Sequence, residues 1–192
     1  MNLAARWHYE RARFFLFINR QERAVGALRD ALTVDRNFVQ ARETLAFLYA
    51  STGRAELAVE EFRNALVLAP DHVGTWFNLG FVYHGRNEHE KAIDAFSKAV
   101  ELSPSTDRAW YGMGLAQRSL GRLPEAAAAL QKAGKLQPMN PHAWYELGMT
   151  YYALQRYDKV QEVIDYLDGF DPKATMQLMR DTPDRSGPGR AA

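Results

Sequence analysis

The sequence predicts an all-α protein built as a solenoid of five helix-turn-helix repeats, and three observations lead to this fold class. First, three similar segments, at 75–83, 108–116 and 142–152, align at a constant offset of 34 residues. Second, tryptophan, glycine and proline each recur at that same offset. Third, apolar residues recur within each repeat at the spacing of one helix face, in two successive blocks. Together these patterns indicate stacked pairs of helices.

The residues that keep the 34-residue offset define the repeat boundaries. They are Trp76, Trp110 and Trp144, then Gly80, Gly114 and Gly148, and finally Pro70, Pro104, Pro138 and Pro172. The frame that they set covers 5–174 and gives repeats at 5–38, 39–72, 73–106, 107–140 and 141–174. A proline ends each repeat from the second onward, because it cannot continue a helix and restricts the residue before it.

Each repeat contains the parts of a helical hairpin. The third repeat shows both helices, with Trp76, Leu79, Gly80 and Tyr83 in the first and Ala92, Phe96 and Ala99 in the second. Small residues recur where two helices must approach closely: Ala12, Ala46, Gly80, Gly114 and Gly148 on first helices, and Ala24, Ala58, Ala92 and Ala126 on second helices. The turn between the two helices carries residues that tolerate a left-handed backbone, namely Gly53, Asn87 and Gly121. We therefore expect helix pairs near 6–34, 39–68, 73–102, 107–136 and 141–168.

This pattern of aromatic, Leu-Gly, Tyr, Ala, Phe, Ala and Pro positions resembles the tetratricopeptide repeat, over about 170 of the 192 residues. The resemblance implies a right-handed superhelical solenoid. The sequence departs from the repeat pattern at His8, Arg11, Arg36, Arg42, Gln117, Val160 and Leu167. The first repeat is the weakest match.

The segment after the fifth repeat is expected to close the array. Residues 173–181 contain enough apolar side chains for a short capping helix over the last repeat, and solenoids need such a cap. From Thr182 onward, residues 182–192 lack apolar periodicity and are expected to be a disordered tail.

Composition excludes several classes of function. A hydrophobic content of 47% with 24% charged residues is that of an ordinary globular protein. The net charge of +1 leaves no surplus to neutralise a nucleic-acid backbone, so we expect no nucleic-acid partner. The chain has no cysteine, which excludes disulfides and thiolate chemistry. We expect no membrane insertion either, because charged residues interrupt the apolar residues of 1–18, and a cytoplasmic location follows as the default.

No residue set points to catalysis. The five histidines, His8, His72, His84, His89 and His142, lack the i, i+4 pairing of zinc-binding helices. Phosphate-binding glycine loops and the nucleophile motif of hydrolases are absent. We therefore expect no enzyme, no cofactor and no metal.

The resemblance implies that first helices line a concave groove that binds a protein or peptide. Mapping its inward positions onto this chain gives a candidate groove of Phe47, Phe77, Asn78, Phe81, His84, Arg108, Tyr111, Leu115, Arg118, Tyr145, Met149 and Tyr152. Its expected centre is Phe77, Phe81 and Tyr111. Aromatic rings at some of these positions often pack between first helices, so part of the set is alternatively core. The carboxylate clamp of this family is not expected, because Glu43 stands where the clamp needs lysine.

A second candidate surface is the N-terminal edge, where five consecutive apolar residues run from Phe14 to Ile18. At 3.6 residues per turn we expect Phe14, Phe15 and Ile18 on the core side. That orientation leaves Leu16 and Phe17 turned to the groove or solvent. A homodimer or another partner at Leu16 and Phe17 is one hypothesis, and local burial under 1–5 is the alternative.

Three classes of function follow. The first is an adaptor or chaperone-like module that binds a peptide or protein segment in its aromatic groove. The alternatives are a self-assembling homo-oligomeric scaffold and a regulatory partner of a separate enzyme. The aromatic groove favours the first class and the apolar N-terminal edge favours the scaffold, but fold alone does not identify a partner.

Overall fold

The computed structural model describes residues 2–183, and this part of the chain forms eleven α-helices and no strand. In chain order they are α1 Leu3–Phe17, α2 Gln21–Val34, α3 Val39–Ser51, α4 Ala55–Leu68, α5 Val73–Gly85, α6 His89–Leu102, α7 Asp107–Ser119, α8 Leu123–Leu136, α9 Pro141–Ala153, α10 Tyr157–Asp168 and α11 Pro172–Asp181. The all-α class is thus confirmed.

The helices fall into two compact units, of which the first ends at Leu102 and the second begins at Ser103. In the first unit, α1 packs on α2, α3 on α4 and α5 on α6, and α2–α3 and α4–α5 contacts join these pairs. Its core combines fully buried alanines with large apolar side chains such as Leu28, Leu45 and Phe62. In the second unit, α7 packs on α8, α8 on α9, and α10 and α11 on α9.

Small residues set the distance between the two helices of a repeat. A β-carbon at Gly80 would lie 2.8 Å from two ring carbons of Phe96, and one at Gly114 would lie 2.7 Å from Cγ of Leu130. No β-carbon fits at such distances. The backbone of α5 at Gly80 therefore packs directly on the Phe96 ring of α6, and that of α7 at Gly114 packs on the Leu130 side chain of α8.

The turn inside every repeat contains one residue with positive φ. These residues are Asn19, Gly53, Asn87, Gly121 and Gln155, with φ between 55° and 75°, and they follow one another at the repeat offset. Glycine and asparagine adopt this backbone at low cost, which explains Gly53, Asn87 and Gly121. Asn19 is an asparagine too, and Gln155 shows that the repeat imposes the same backbone on another residue type.

A side-chain hydrogen bond locks each repeat to the start of the next. Nε1 of Trp76 donates to the carbonyl oxygen of Pro70 at 2.7 Å, and Trp110 and Trp144 donate to Pro104 and Pro138 in the same way. The second repeat has Arg42 in place of this tryptophan, and Nε and Nη2 of Arg42 donate to the carbonyl oxygen of Arg36 at 3.2 and 2.9 Å. Arg36 and Arg42, two of the residues that depart from the repeat pattern, therefore make the same contact.

The final helix, α11, packs on α9 and α10. Its first turn is capped by the Asp171 side chain, which accepts hydrogen bonds from the backbone of Lys173 and Ala174. Leu178 is fully buried and lies against Gly148. Of the tail expected at 182–192, residues 184–192 lie outside the described residues, while Thr182 is buried and its hydroxyl donates to Leu178.

The orientation expected for the N-terminal apolar run is wrong in part. Phe14 and Ile18 are exposed rather than buried, and Leu16 packs partly against the core rather than turning outward. The buried line of α1 is Ala5 and Ala12, and at about 100° per residue Leu16 lies close to that line while Phe14 lies on the opposite side. Ile18 comes after the last helical residue. The orientation expected for Phe17 agrees with the structure, because its side chain is 88% exposed.

None of the helices within residues 2–183 combines the length and apolarity that crossing a bilayer requires.

Candidate functional site

The candidate groove residues all lie on first helices. In the first unit Phe47 lies on α3, and Phe77, Asn78, Phe81 and His84 lie on α5, the next first helix, which contacts α3. The structure therefore brings these five candidate residues together on one pair of neighbouring helices.

Phe47 and Phe81 are the most solvent-exposed aromatic side chains of that set. They occupy the same repeat position, one repeat apart, and their exposed fractions are 62% and 65%. A single exposed ring is common on a protein surface. Two exposed rings at equivalent positions of adjacent helices form a repeated apolar feature, which is the composition expected of a binding surface.

Phe77, which the sequence places at the centre of the groove, has a partly structural role. Its side chain is half-buried, and its ring centroid lies 5.9 Å from that of Phe96 on α6. Part of the ring therefore packs against the inner face of its own repeat.

A polar cluster stands one helical turn before Phe47. The Glu43 carboxylate accepts a hydrogen bond from the buried Thr75 hydroxyl, and it lies 2.5 Å from Nδ1 of His72. A cavity of about 540 Å³ opens beside this cluster and is also lined by Asp35, Asn37 and Gln40. The cavity thus has two carboxylates in its wall, which favours a cationic occupant over an anionic one.

His84 and His89 come together across the turn between α5 and α6, a pairing that the search for i, i+4 spacing could not detect. Their Nδ1 atoms are 3.2 Å apart and their rings are 5.0 Å apart. Burial, and to a lesser extent the neighbouring His89, lowers the pKa of His84 below its ordinary value. A neutral His84 can share one proton with His89 in a hydrogen bond. Among residues 2–183, no group of three or more His, Asp or Glu side chains could hold a metal ion.

The second unit contains the other seven residues of the candidate set. Arg108, Tyr111, Leu115 and Arg118 lie on α7, and Tyr145, Met149 and Tyr152 lie on α9, which contacts α7. Arg118 forms an ion pair with Glu146 between these two helices. Burial raises the pKa of Tyr111, Glu146 raises it further, and Arg118 opposes both effects.

The tyrosines of α9 contact other helices of the second unit. The Tyr145 hydroxyl donates to the Asp181 carboxylate on α11 at 2.7 Å. This hydrogen bond is the largest of the causes that raise the pKa of Tyr145 and the largest of those that lower the pKa of Asp181. Tyr152 meets Tyr157 of α10 edge to face at 5.8 Å. These rings are half-buried, so they contribute to packing as well as to the surface.

Sequence patterns gave no indication of four partners in these clusters: His72, Thr75, His89 and Asp181. Each of them meets its partner across a turn or between helices that are distant in sequence. Only the repeat frame, which places 72–75 beside the preceding first helix, carries a weak signal for His72 and Thr75.

Comparison with solved structures identifies the same architecture in several proteins. A MamA fragment from Desulfovibrio magneticus RS-1 is 22% identical, with a TM-score of 0.79 over 96% of this chain and 99% of that one. YrrB, described as a TPR protein with an unusual peptide-binding site, is 22% identical, with a TM-score of 0.78 over 90% of each chain. PilF of Pseudomonas aeruginosa is 21% identical, with a TM-score of 0.75 over 95% of this chain and 86% of that one. These likenesses establish the fold.

Comparison of the sequence gives the family. No curated protein sequence matches the chain. A family model does match, over residues 12–166, and its description is the cilia and flagella-associated protein 70 C-terminal domain. The match covers most of the chain and starts inside the first repeat. The chain therefore belongs to this family of tetratricopeptide-repeat domains.

Proposed function

We propose that this chain is a protein-interaction module that holds an extended or helical segment of a partner protein on its first helices. The observation that carries the proposal is the pair Phe47 and Phe81, two exposed rings at the same position of adjacent repeats. Exposed aromatic anchors with polar neighbours are typical of interface hot spots. The peptide-binding site described for YrrB, a protein of the same fold, adds support.

The chemistry beside Phe47 indicates what kind of segment would fit. Gln40, Glu43 and Phe47 lie on one face of α3, so the acidic cavity and the exposed ring are neighbours. A segment with apolar side chains for the rings and a lysine or arginine for the Asp35 and Glu43 carboxylates would match both. In this proposal Asn78 and His84 supply hydrogen bonds beside Phe81.

The second unit has candidate contact residues of its own on its first helices. These are the remaining members of the candidate groove: Arg108, Tyr111, Leu115, Arg118, Tyr145, Met149 and Tyr152. Arg118 and Glu146 already neutralise each other, so we expect this unit to add apolar contact and hydrogen bonds rather than net charge.

The test is a selection from a random peptide display library, followed by titration of the selected peptides. We expect the wild-type chain to enrich peptides that combine apolar residues with a lysine or arginine. The double variant Phe47→Ala with Phe81→Ala should weaken their binding by about 2 kcal/mol or more per central ring. Its melting temperature should change little, because both rings are exposed.

Phe77→Ala is the matched control within α5. Because its ring packs on Phe96, we expect this variant to lower the melting temperature more than the double variant does. If binding is unchanged in the Phe47 and Phe81 double variant, the partner binds elsewhere and the proposal is wrong.

A second candidate is self-association through the outer face of α1. Leu3, Trp7 and Phe14 are spaced to form one exposed apolar stripe, and Phe17 extends it. Exposed apolar stripes of this kind are typical of association surfaces. Sedimentation of α1 variants tests this candidate.

A further inference from the structure

The first unit has two cavities at equivalent positions of adjacent repeats. One lies between α2 and α4 with α3 as its floor, and the other lies between α4 and α6 with α5 as its floor. Their volumes are about 400 and 500 Å³. Arg29, Leu45 and Tyr49 line the first, and their counterparts one repeat later, Arg63, Leu79 and Tyr83, line the second. We name them the first and second inter-repeat cavities.

The first inter-repeat cavity is on the opposite side of α3 from the proposed peptide surface. Arg42, Leu45 and Tyr49 line it, whereas Glu43 and Phe47 point to the other face of the same helix. An occupant of this cavity would therefore bind independently of a peptide on Phe47 and Phe81.

The two cavities differ in charge at four repeat positions. Arg36 and Arg42 of the first correspond to Pro70 and Trp76, and Leu57 and Glu61 correspond to Lys91 and Ala95 of the second. The second cavity has Trp76, which bonds to Pro70, where the first has Arg42, which bonds to Arg36. Three arginines and one glutamate, Glu61, consequently line the first cavity. In the second, Arg63 and Lys91 face Asp94, and Lys91 also pairs with Glu88 at 2.6 Å.

Two of the three arginines are not neutralised by a carboxylate, so their positive charge is available to a ligand. Arg42 pairs with Glu61 at 2.8 Å, so these two neutralise each other. The Nε–H group of Arg29 donates a hydrogen bond to the Tyr49 hydroxyl at 3.0 Å. This bond orients the guanidinium and leaves its two Nη groups available to a ligand. Among the described residues neither Arg29 nor Arg36 forms an ion pair with a carboxylate.

The pocket is also fixed in shape before any ligand arrives. Tyr49 is buried and lies between the guanidinium groups of Arg54, at 5.0 Å from its ring, and Arg29, at 5.9 Å. The double hydrogen bond from Arg42 holds the backbone of Arg36 in place. The Arg29 guanidinium therefore needs little ordering on binding, which favours affinity.

We propose that the first inter-repeat cavity is an anion site that takes a phosphate monoester, bound by Arg29 and Arg36. Two uncompensated guanidinium groups match a phosphate monoester, whose charge at pH 7 is about −1.5 to −2, better than a single carboxylate. Arginine also suits phosphate because its planar fork donates two parallel hydrogen bonds. The phosphate is part of a phosphorylated side chain of a partner protein, and inorganic phosphate serves as a probe of the same chemistry. An extended nucleic-acid backbone would require a longer basic track than two arginines.

Nuclear magnetic resonance of the arginine Nε–H groups tests the proposal on the full chain. The probes are inorganic phosphate, a short uncharged peptide carrying one phosphoserine, and the same peptide with serine. We expect the Arg29 signal to shift saturably with the first two probes and not with the third. The Arg63 signal, from the equivalent position of the second cavity, should stay in place. Saturation by inorganic phosphate but not by the phosphopeptide would mean an adventitious ion only and would overturn the site.

Variants then assign the site to named side chains. Arg29→Gln with Arg36→Gln should weaken phosphopeptide binding by about tenfold or more, because two charge-assisted contacts are lost. Arg63→Gln is the matched control and should leave binding unchanged. The proposal fails if the double variant keeps its affinity, if the Arg63 control loses as much, or if a single-stranded oligonucleotide binds the site more tightly than the phosphopeptide.

The double variant Arg36→Pro with Arg42→Trp introduces the proline and tryptophan that the later repeats have at these positions. Because those residues are compatible with the fold, a loss of binding in this variant would not result from unfolding. Asp35, with φ −139° and ψ 97°, already has a backbone close to that of Ala69 before Pro70, with φ −138° and ψ 75°. We expect this variant to fold with unchanged helicity and to lose phosphopeptide binding. Retained binding in a folded variant would overturn the role of Arg36.

Discussion

Gly80 and Gly114 illustrate how a single absent side chain positions two helices. Their neighbours Phe96 and Leu130 occupy the space where a β-carbon would stand. The sequence predicts this role, because both glycines recur at the repeat offset in the middle of a helix, where glycine is otherwise unfavourable.

Gly80→Ala should lower the free energy of unfolding by about 1–3 kcal/mol, because the added methyl group overpacks the contact with Phe96. Gly26→Ala is the matched control in α2, where nothing lies within 4 Å of the new β-carbon. There we expect stabilisation by up to about 1 kcal/mol from helix propensity alone. Urea unfolding of both variants measures the difference, and equal effects would contradict this account.

The sequence predicts buried positions better than it predicts polar partners. The alanine and glycine positions follow from periodicity, because a buried residue has to recur on one helix face. The contacts of Glu43 with His72 and of Tyr145 with Asp181 depend on side chains that meet across 29 and 36 residues of chain. Such pairs have no periodic signal, so only the structure reveals them.

At the scale of the element, α1 shows the limit of periodicity for a terminal helix. The run from Phe14 to Ile18 is apolar on every side, so the pattern of the run itself does not choose the buried face. The small residues Ala5 and Ala12 choose it, because α2 can approach closely only there. The prediction of a buried Phe14 is therefore wrong, because Phe14 lies on the side of α1 opposite to these small residues.

The other terminal element, α11, gives a pH-dependent contact. Because the Tyr145 hydroxyl lowers the pKa of Asp181, the contact stabilises the fold above the ordinary aspartate pKa that this carboxyl has in the unfolded chain. The stabilisation is lost as the pH falls through the lower folded pKa. Tyr145→Phe should therefore be less stable than the wild type at neutral pH, and the difference should shrink in acid.

Thermal melts between about pH 2 and 7 measure this difference across the range where carboxyl groups titrate. Asp181→Asn supplies the control, since it keeps the shape of the side chain and removes the titrating group. Its own difference from the wild type should shrink in acid in the same way. A gap between Tyr145→Phe and wild type that is constant with pH would show that the hydrogen bond is not linked to the Asp181 proton.

At the scale of the whole molecule, the exposed stripe of α1 predicts reversible self-association. The wild-type sedimentation coefficient should rise with concentration, because association would cover Phe14 and Phe17. The double variant Phe14→Glu with Phe17→Glu should sediment as a monomer at every concentration.

Val67→Glu is the matched control for that experiment. Val67 is an equally exposed apolar residue on α4 of the same unit, away from the α1 stripe. This variant should associate like the wild type. A wild-type chain that stays monomeric at the highest concentration would dispose of the scaffold candidate.

The sequence predicts the number of repeats, the helix pairing and the class of fold, because the same residue pattern recurs in each repeat. Aromatic positions of the first helices could be read in the same way, but their burial could not. Phe77 and Phe81 differ by one helical turn, and only the position of Phe96 decides that the first ring packs inward while the second is solvated.

The hydrogen bond to the carbonyl oxygen of residue 36 has a consequence for engineering. This oxygen requires only an N–H group at the right distance, and a guanidinium satisfies it as well as an indole does. Two of the residues that set the charge of an inter-repeat cavity can therefore be exchanged without redesigning the scaffold. Exchanging the residues at 70 and 76 for arginine would add these two basic side chains to the second inter-repeat cavity. An array recoded in this way could present recognition sites in a chosen order along one chain.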